Sequence, residues 1–204
     1  MMAETLTAEQ ILEAAQDVLR RFGPSKATVV DVARALGVSH GSVYRHFPSK
    51  AALREAVTRQ WLHRNHAPVA QAAKADLPAP DKLRNWLSTL FDSKRHKVLD
   101  DPELFATFSA LVKENSSVVA DHIAELTAEI AGILREGVEA GQFAPIEDVD
   151  GTARAVFDAT NRFHDPGYSG DWAQDGIGEA FDAVCSLVLS GLTTQAGREV
   201  VQSH

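Results

Sequence analysis

The chain has 204 residues, of which 45% are hydrophobic and 24% charged, fractions typical of a folded soluble protein. No stretch approaches the ~20 consecutive apolar residues of a membrane span, Met1–Glu4 lacks the basic and apolar regions of a signal peptide, and the single cysteine, Cys185, excludes an intrachain disulfide or a multi-cysteine metal cluster. A reducing, cytoplasmic setting without a membrane partner is the expectation. The net charge of −8 argues against nucleic acid, but it is unevenly spread: residues 1–64 carry nine Lys+Arg against six Asp+Glu, a balance of +3, and the rest carry eleven against twenty-two. The basic end is the one to read for phosphate partners.

In chain order nearly every segment reads as helix. Thr7-Ala8-Glu9-Gln10 is a capping box, followed by Ile11, Ala14, Ala15, Val18, Leu19 and Phe22 at helical spacing, with Gly23-Pro24 as the stop. Thr28 caps a second helix over 28–36 that Gly37 ends, and Ser39 caps a short third helix to about His46. Ser49 opens a longer fourth helix. Beyond Ala75–Pro80, the spacing predicts helices over 81–98, 101–114, 118–140, 147–164 and 173–191, giving an all-α fold of about nine helices. The predicted division is a three-helix head over 1–48, a connecting helix over 49–75 and a C-terminal domain over 76–204.

Residues 28–53 have the physics of a helix-turn-helix. Val32, Ala33 and Leu36 give the first helix an apolar edge, Gly37 supplies the positive φ of a short interhelix turn, and Val38, Val43 and Phe47 continue the buried side. Ser39, His40, Gly41, Ser42, Tyr44, Arg45 and His46 remain outside, a short donor-rich face suited to a major groove. Lys50 begins the next helix, where a lysine can pair with phosphate. Gly37-Val38-Ser39-His40-Gly41 also fits the hydrolase nucleophile pattern, but that motif needs a strand leading into it; here a helix leads in. Asn115-Ser116-Ser117 matches a glycosylation sequon, but nothing routes the chain to secretion.

With Thr28, Val32, Ala33, Gly37, Val38, Ser39, Gly41, Tyr44, His46, Phe47, Lys50 and Leu53 at these spacings, the chain resembles the TetR family of bacterial helix-turn-helix transcriptional regulators, specifically over about residues 7–60. The resemblance implies a dimeric repressor of a palindromic double-stranded DNA operator, released by a small-molecule effector in the C-terminal domain. It implies that Ser39, His40, Ser42, Tyr44 and Arg45, with Gly41 in the same helix, face DNA, and that Thr28, Tyr44, His46 and Lys50 hold phosphates. Arg45 is the candidate for a base edge. DNA binding requires no cofactor. The alternative is a helix-turn-helix used only for packing.

The acidic part is rich in apolar stripes that are core first. The resemblance implies that some of them line an effector pocket, with Phe91, Phe105, Phe108, Leu111, Phe157 and Asn161 as the candidate lining. Stripes at Ala153, Val156, Phe157 and Thr160, and at Ile177, Phe181, Val184, Cys185, Val188, Leu189 and Leu192, either pair with a second copy or pack internally. Counting outward from residue 143, a hairpin of the 118–140 and 147–164 helices places His122 opposite His164, with Asp158, Asn161 and Asp165 nearby. Such a donor set suits a divalent metal, zinc or nickel; the alternative is two hydrogen-bonded histidines in a polar core. His63 and His66 read as surface. The rival to a regulator is an all-helical metal-binding protein or enzyme using the His and Asp groups of the C-terminal domain, against which no nucleophile, base and orienting residue fall at a defensible spacing.

Overall fold

The computed structural model describes residues 6–193; the reading of Met1–Glu4 lies outside the described residues. Nine α-helices are present among them: α1 Ala8–Lys26, α2 Val29–Ala35, α3 His40–Tyr44, α4 Lys50–Ala73, α5 Ala79–Asp100, α6 Pro102–Glu114, α7 Ser116–Glu139, α8 Val149–Ala159 and α9 Ile177–Leu192. Two 3-10 segments, Asn161–Phe163 and Pro166–Asp171, separate the last two. The described residues form no strand beyond one isolated bridge, Phe143 to Thr193. No described helix is long and apolar enough to cross a membrane.

Local chemistry sets most of these ends. The Thr7–Gln10 and Thr28–Asp31 capping boxes are both closed, satisfying backbone N–H groups that a first turn leaves free. Gly23, at φ 72°, breaks α1 where its sequence predicts. Asp101 caps α6 ahead of Pro102, a proline in the one helical turn that tolerates it. The 147–164 helix is shorter than expected: α8 ends at Ala159, and the chain passes into two 3-10 segments, the second opened by Asp165 accepting from the Gly167 N–H. Likewise α9 starts at Ile177, after Gly176 in the left-handed region.

The chain packs as two compact units. One runs to Arg64 and takes in Asp101–Ala120; the other comprises Asn65–Asp100 with Asp121 onward. The linear division at residues 48 and 76 therefore differs from the packing: α6 counts with the helix-turn-helix. The first unit closes on Ile11, Ala15, Val18 and Leu19 of α1, Val29, Val32 and Ala33 of α2, Val43 of α3 and Leu53 and Val57 of α4, with Phe108 and Leu111 of α6 in the same cluster. Phe108 stacks on Trp61 with centroids 4.7 Å apart and planes 1° from parallel.

In the second unit the buried side chains include Leu83, Trp86, Leu87, Leu90 and Phe91 of α5, Leu126, Ile130, Ile133 and Leu134 of α7, Val156 and Phe157 of α8, and Ile177, Phe181, Cys185 and Leu189 of α9. Of the α8 and α9 stripes, Ala153, Val156, Phe157, Thr160, Ile177, Phe181, Cys185 and Leu189 are buried within the chain, while Val184, Val188 and Leu192 are partly exposed. Gly137 lets α7 and its neighbours approach: a Cβ there would overlap the ring of Phe143 and come within 2.8 Å of the Ala79 Cβ. Phe143 is 1% exposed and has nowhere to go. Gly137→Ala is therefore expected to destabilise by roughly 1–3 kcal/mol through overpacking, read as a lowered urea midpoint at unchanged slope.

Candidate nucleic-acid interface and a buried histidine cluster

The turn between α2 and α3 is built on Gly37, whose φ of 66° suits a residue without Cβ, and the Val38 N–H bonds the Ala33 carbonyl at 3.0 Å. Ser39 caps α3 by accepting from the Ser42 N–H at 3.2 Å. This is the role its sequence predicts, and a helix leads into it as expected. Val43 is fully buried, which anchors the five-residue helix and turns its other side outward.

On that side Ser39, His40, Gly41, Tyr44, Arg45 and His46 are exposed and Ser42 is partly so. The Ser39 and Ser42 hydroxyls are 3.0 Å apart, and Arg45 Nη2 donates to Ser42 Oγ at 3.3 Å. The guanidinium is thereby held over the first turn of α3 with most of its donors free. His40 meets Tyr44 edge to face at 6.3 Å. Within the chain nothing requires glycine at 41: an added Cβ would come no closer than 3.8 Å to Ser39 Oγ. Lys50 is exposed at the start of α4, where Ser49 Oγ accepts from the Ala52 N–H at 3.0 Å. Thr28 differs from the rest. Its hydroxyl donates to Asp31 Oδ2 at 2.6 Å while accepting from the Asp31 N–H, and this hydrogen bond is the main reason the Asp31 carboxyl sits below its usual range. The cap engages the hydroxyl that a phosphate contact would use.

The six candidate pocket residues are divided between the two units. Phe108 and Leu111 belong to the first unit's core, and Phe105 is buried on the same helix. Phe91, in the second unit, packs against Phe163 and Phe181 with centroids 5.5 and 5.0 Å away. Phe157 lies against the His164 ring at 4.3 Å, and Asn161 sits partly buried in the first 3-10 segment.

The register argument pairing His122 with His164 needs α8 to reach residue 164, and it ends at Ala159. His164 is 6% exposed with Nε2 3.1 Å from the Phe157 carbonyl. His122 instead meets His66, at 5.3 Å between centroids. His66 is not a surface residue, since its side chain is 10% exposed. A missed signal was available: Leu62, His66 and Val69 continue one buried stripe at spacings of four and three. Glu125 stands beside both rings, Oε2 lying 3.7 Å from His66 Nδ1 and 3.8 Å from His122 Nδ1. Glu129 Oε1 is 3.0 Å from His66 Nε2, and its other oxygen accepts from Trp86 Nε1 at 2.8 Å.

Burial pushes the His122 imidazole down to about 3, with the Lys94 and His66 charges adding to the effect. Burial likewise pushes His164 down to about 4 against the raising influence of the Phe157 carbonyl, and Lys94 to about 8. At pH 5 unfolded His164 binds a proton that the folded chain does not, so stability rises with pH between about 4 and 6.5 and is lost as pH falls through that window. His164→Gln, which keeps a donor near the Phe157 carbonyl, is expected to flatten the decline by about 1.4 kcal/mol per pH unit. Urea melts from pH 4 to 7 measure it. The Cys185 thiol is buried and pushed up to about 11, which makes it a packing residue rather than a nucleophile.

A short, exposed, donor-bearing helix set behind a glycine turn has the geometry of a helix-turn-helix DNA-binding element. A family model described as "Bacterial regulatory proteins, tetR family" matches residues 11–57, and one described as "Tetracyclin repressor-like, C-terminal domain" matches residues 79–185. The chain belongs to the TetR family, and it is a DNA-binding transcriptional regulator with a C-terminal domain of that family. It is 28% identical over 207 residues to the transcriptional repressor KstR2 of Mycolicibacterium smegmatis, covering 93% of this chain and 92% of that one. Among solved structures, FadR from Bacillus subtilis in complex with stearoyl-CoA matches with a TM-score of 0.66 at 19% identity, over 91% of this chain and 99% of FadR. BioQ with its double-stranded DNA operator matches with a TM-score of 0.54 at 20% identity, over 91% of this chain and 99% of BioQ.

Proposed function

We propose that this chain is a homodimeric repressor whose α3 enters successive major grooves of a palindromic operator, and that a small-molecule effector bound in the C-terminal part releases it. The observation that carries the reading is the edge of α3: a five-residue helix with a glycine at its second position, an arginine tethered to its first turn, and no aliphatic side chain facing out. Glycine in a helix costs about 1 kcal/mol relative to alanine, and the chain's own packing gives no reason for it at 41. A backbone that must approach something outside the chain does. Arg45 carries the base contact, and Tyr44, His46 and Lys50 hold phosphates on either side. Thr28 contributes by orienting α2 through its cap.

The dimer is supported by what α8 and α9 leave outside. Among the exposed positions, Gly151, Ala155 and Ala159 follow one another at spacings of four on α8, as do Ala183, Leu187 and Gly191 on α9, beside charged Arg154, Asp158, Glu179 and Asp182, and Leu187 is 72% exposed. The small residues allow two helix pairs to come close, and Leu187 gives the face an apolar side chain to bury. A twofold axis also doubles the short recognition surface, the requirement of a palindromic site. Release follows by linkage: an effector that favours the dimer geometry with mis-spaced recognition helices lowers operator affinity by its differential affinity for that geometry. Its contacts are expected from Phe91, Phe157 and Asn161 rather than from Phe105, Phe108 and Leu111.

Gly41→Ala tests the carrying observation. The variant is expected to keep or raise the unfolding free energy, by up to about 1 kcal/mol, while losing affinity for the duplex that the wild type selects from a random pool. A variant as stable as the wild type that binds that duplex equally well would remove α3 from the groove.

A further inference from the structure

We propose that His66, His122 and Glu125 form a binding site for one divalent transition-metal ion of the zinc class, with Glu129 as the group that orients His66. The proposal rests on the second unit alone and stands apart from the reading of α3, because all four residues lie outside the helix-turn-helix unit.

Three features place it there. First, one ligand atom from each of His66, His122 and Glu125 lies within 4.8 Å of the others, the only such His, Cys, Asp and Glu group among the described residues. Ligands about 2.0–2.2 Å from a tetrahedral zinc sit somewhat closer than this to one another, a contraction that side-chain rotation supplies. Second, His66 is nine-tenths buried, yet its Nε2 has no aligned hydrogen bond. A buried polar nitrogen left so carries a desolvation cost. Its nearest neighbour is Glu129 Oε1 at 3.0 Å. A small rotation of the ring would align that pair, setting the proton on Nε2 and leaving the Nδ1 lone pair for a metal. Carboxylate–histidine–metal arrangements use this device to fix tautomer and ring orientation. Glu129 is itself fixed by Trp86, which is fully buried and donates to the oxygen facing away from His66. Third, His122 Nδ1 and His66 Nδ1 both face Glu125 Oε2, at 3.8 and 3.7 Å. Glu125 is 61% exposed, so the ion has a path from solvent.

Two imidazole nitrogens and one carboxylate oxygen suit Zn²⁺, Ni²⁺ or Co²⁺ better than Mg²⁺ or Ca²⁺, which take all-oxygen sites. Two carboxylates outweigh the one Lys94 charge acting on His122. Three protein ligands leave the fourth position to water, the pattern of an open rather than a closed zinc site. The ion would join α4, through His66, to α7, through His122 and Glu125.

The test uses the full chain stripped with a chelator and then titrated with Zn²⁺ alone against a chromophoric competitor, and with Co²⁺ alone as a spectroscopic probe. One Zn²⁺ per chain is expected, together with the intense visible bands of four-coordinate Co²⁺. His122→Gln and Glu125→Gln should each weaken binding at least tenfold, and Glu129→Gln by 10–100-fold, the usual range for an orienting partner. His164→Gln should leave it unchanged. Glu125 is exposed enough that its variant keeps the fold, so a misfolded His122→Gln does not spare the proposal. Absence of stoichiometric Zn²⁺, weak six-coordinate Co²⁺ bands, unchanged affinity in Glu125→Gln, or loss in His164→Gln would each overturn it.

Discussion

Phe108→Ala is expected to destabilise the chain by about 3–5 kcal/mol, the range for removing a buried phenylalanine, and to cost DNA binding along with stability. Phe108 is 1% exposed, stacks on Trp61 and shares a cluster with residues of α1 to α4. Its removal also forfeits the offset of one aromatic face against another, worth about 0.5–1.5 kcal/mol beyond the area buried. A sequence reading that places Phe108 in an effector pocket gives the opposite outcome: near-normal stability, intact operator binding and an altered effector response. Urea unfolding beside an operator titration separates the two. Leu111→Ala, on the same core, should follow Phe108→Ala in direction.

The second large effect is expected at Arg45. Arg45→Ala should cost about 1–3 kcal/mol in operator affinity and relax specificity at one base pair in each half-site, as loss of a bidentate guanine contact does. Its side chain is exposed and its one recorded hydrogen bond, to Ser42 Oγ at 3.3 Å, is a tether rather than a stabilising contact, so the fold should be unaffected. Selection from random duplexes with wild type and variant reads the effect. Equal affinity together with an unchanged consensus would transfer base reading to another side chain of the edge.

The head was legible because its signals are local. Thr7, Thr28 and Ser39 cap the helices they precede, and Gly37 takes the positive φ its turn needs. All of this is decided within a few residues. What periodicity could not show is which stripe meets which. Phe105, Phe108 and Leu111 form the same apolar face whether they line a pocket or close the head, and only contacts across some fifty residues or more of sequence decide. The expected pairing of His122 with His164 depends on distant structure in the same way. That pairing requires an unbroken helix, and α8 ends at Ala159 and gives way to the 3-10 segment Asn161–Phe163. His66 looks like surface when paired with exposed His63 three residues before it, whereas its spacing to buried Leu62 and Val69 puts it on the inner face.

The most direct test of the α3 edge is a salt series with the selected duplex, comparing wild type with Lys50→Ala. The account predicts two chains per duplex and a steep linear fall of log affinity with log salt. The variant should fall less steeply by about 2, since each lost phosphate contact removes about 0.9 and a dimer loses two. A wild type that retains no duplex even at low ionic strength, or a Lys50→Ala variant with the same slope, would contradict it.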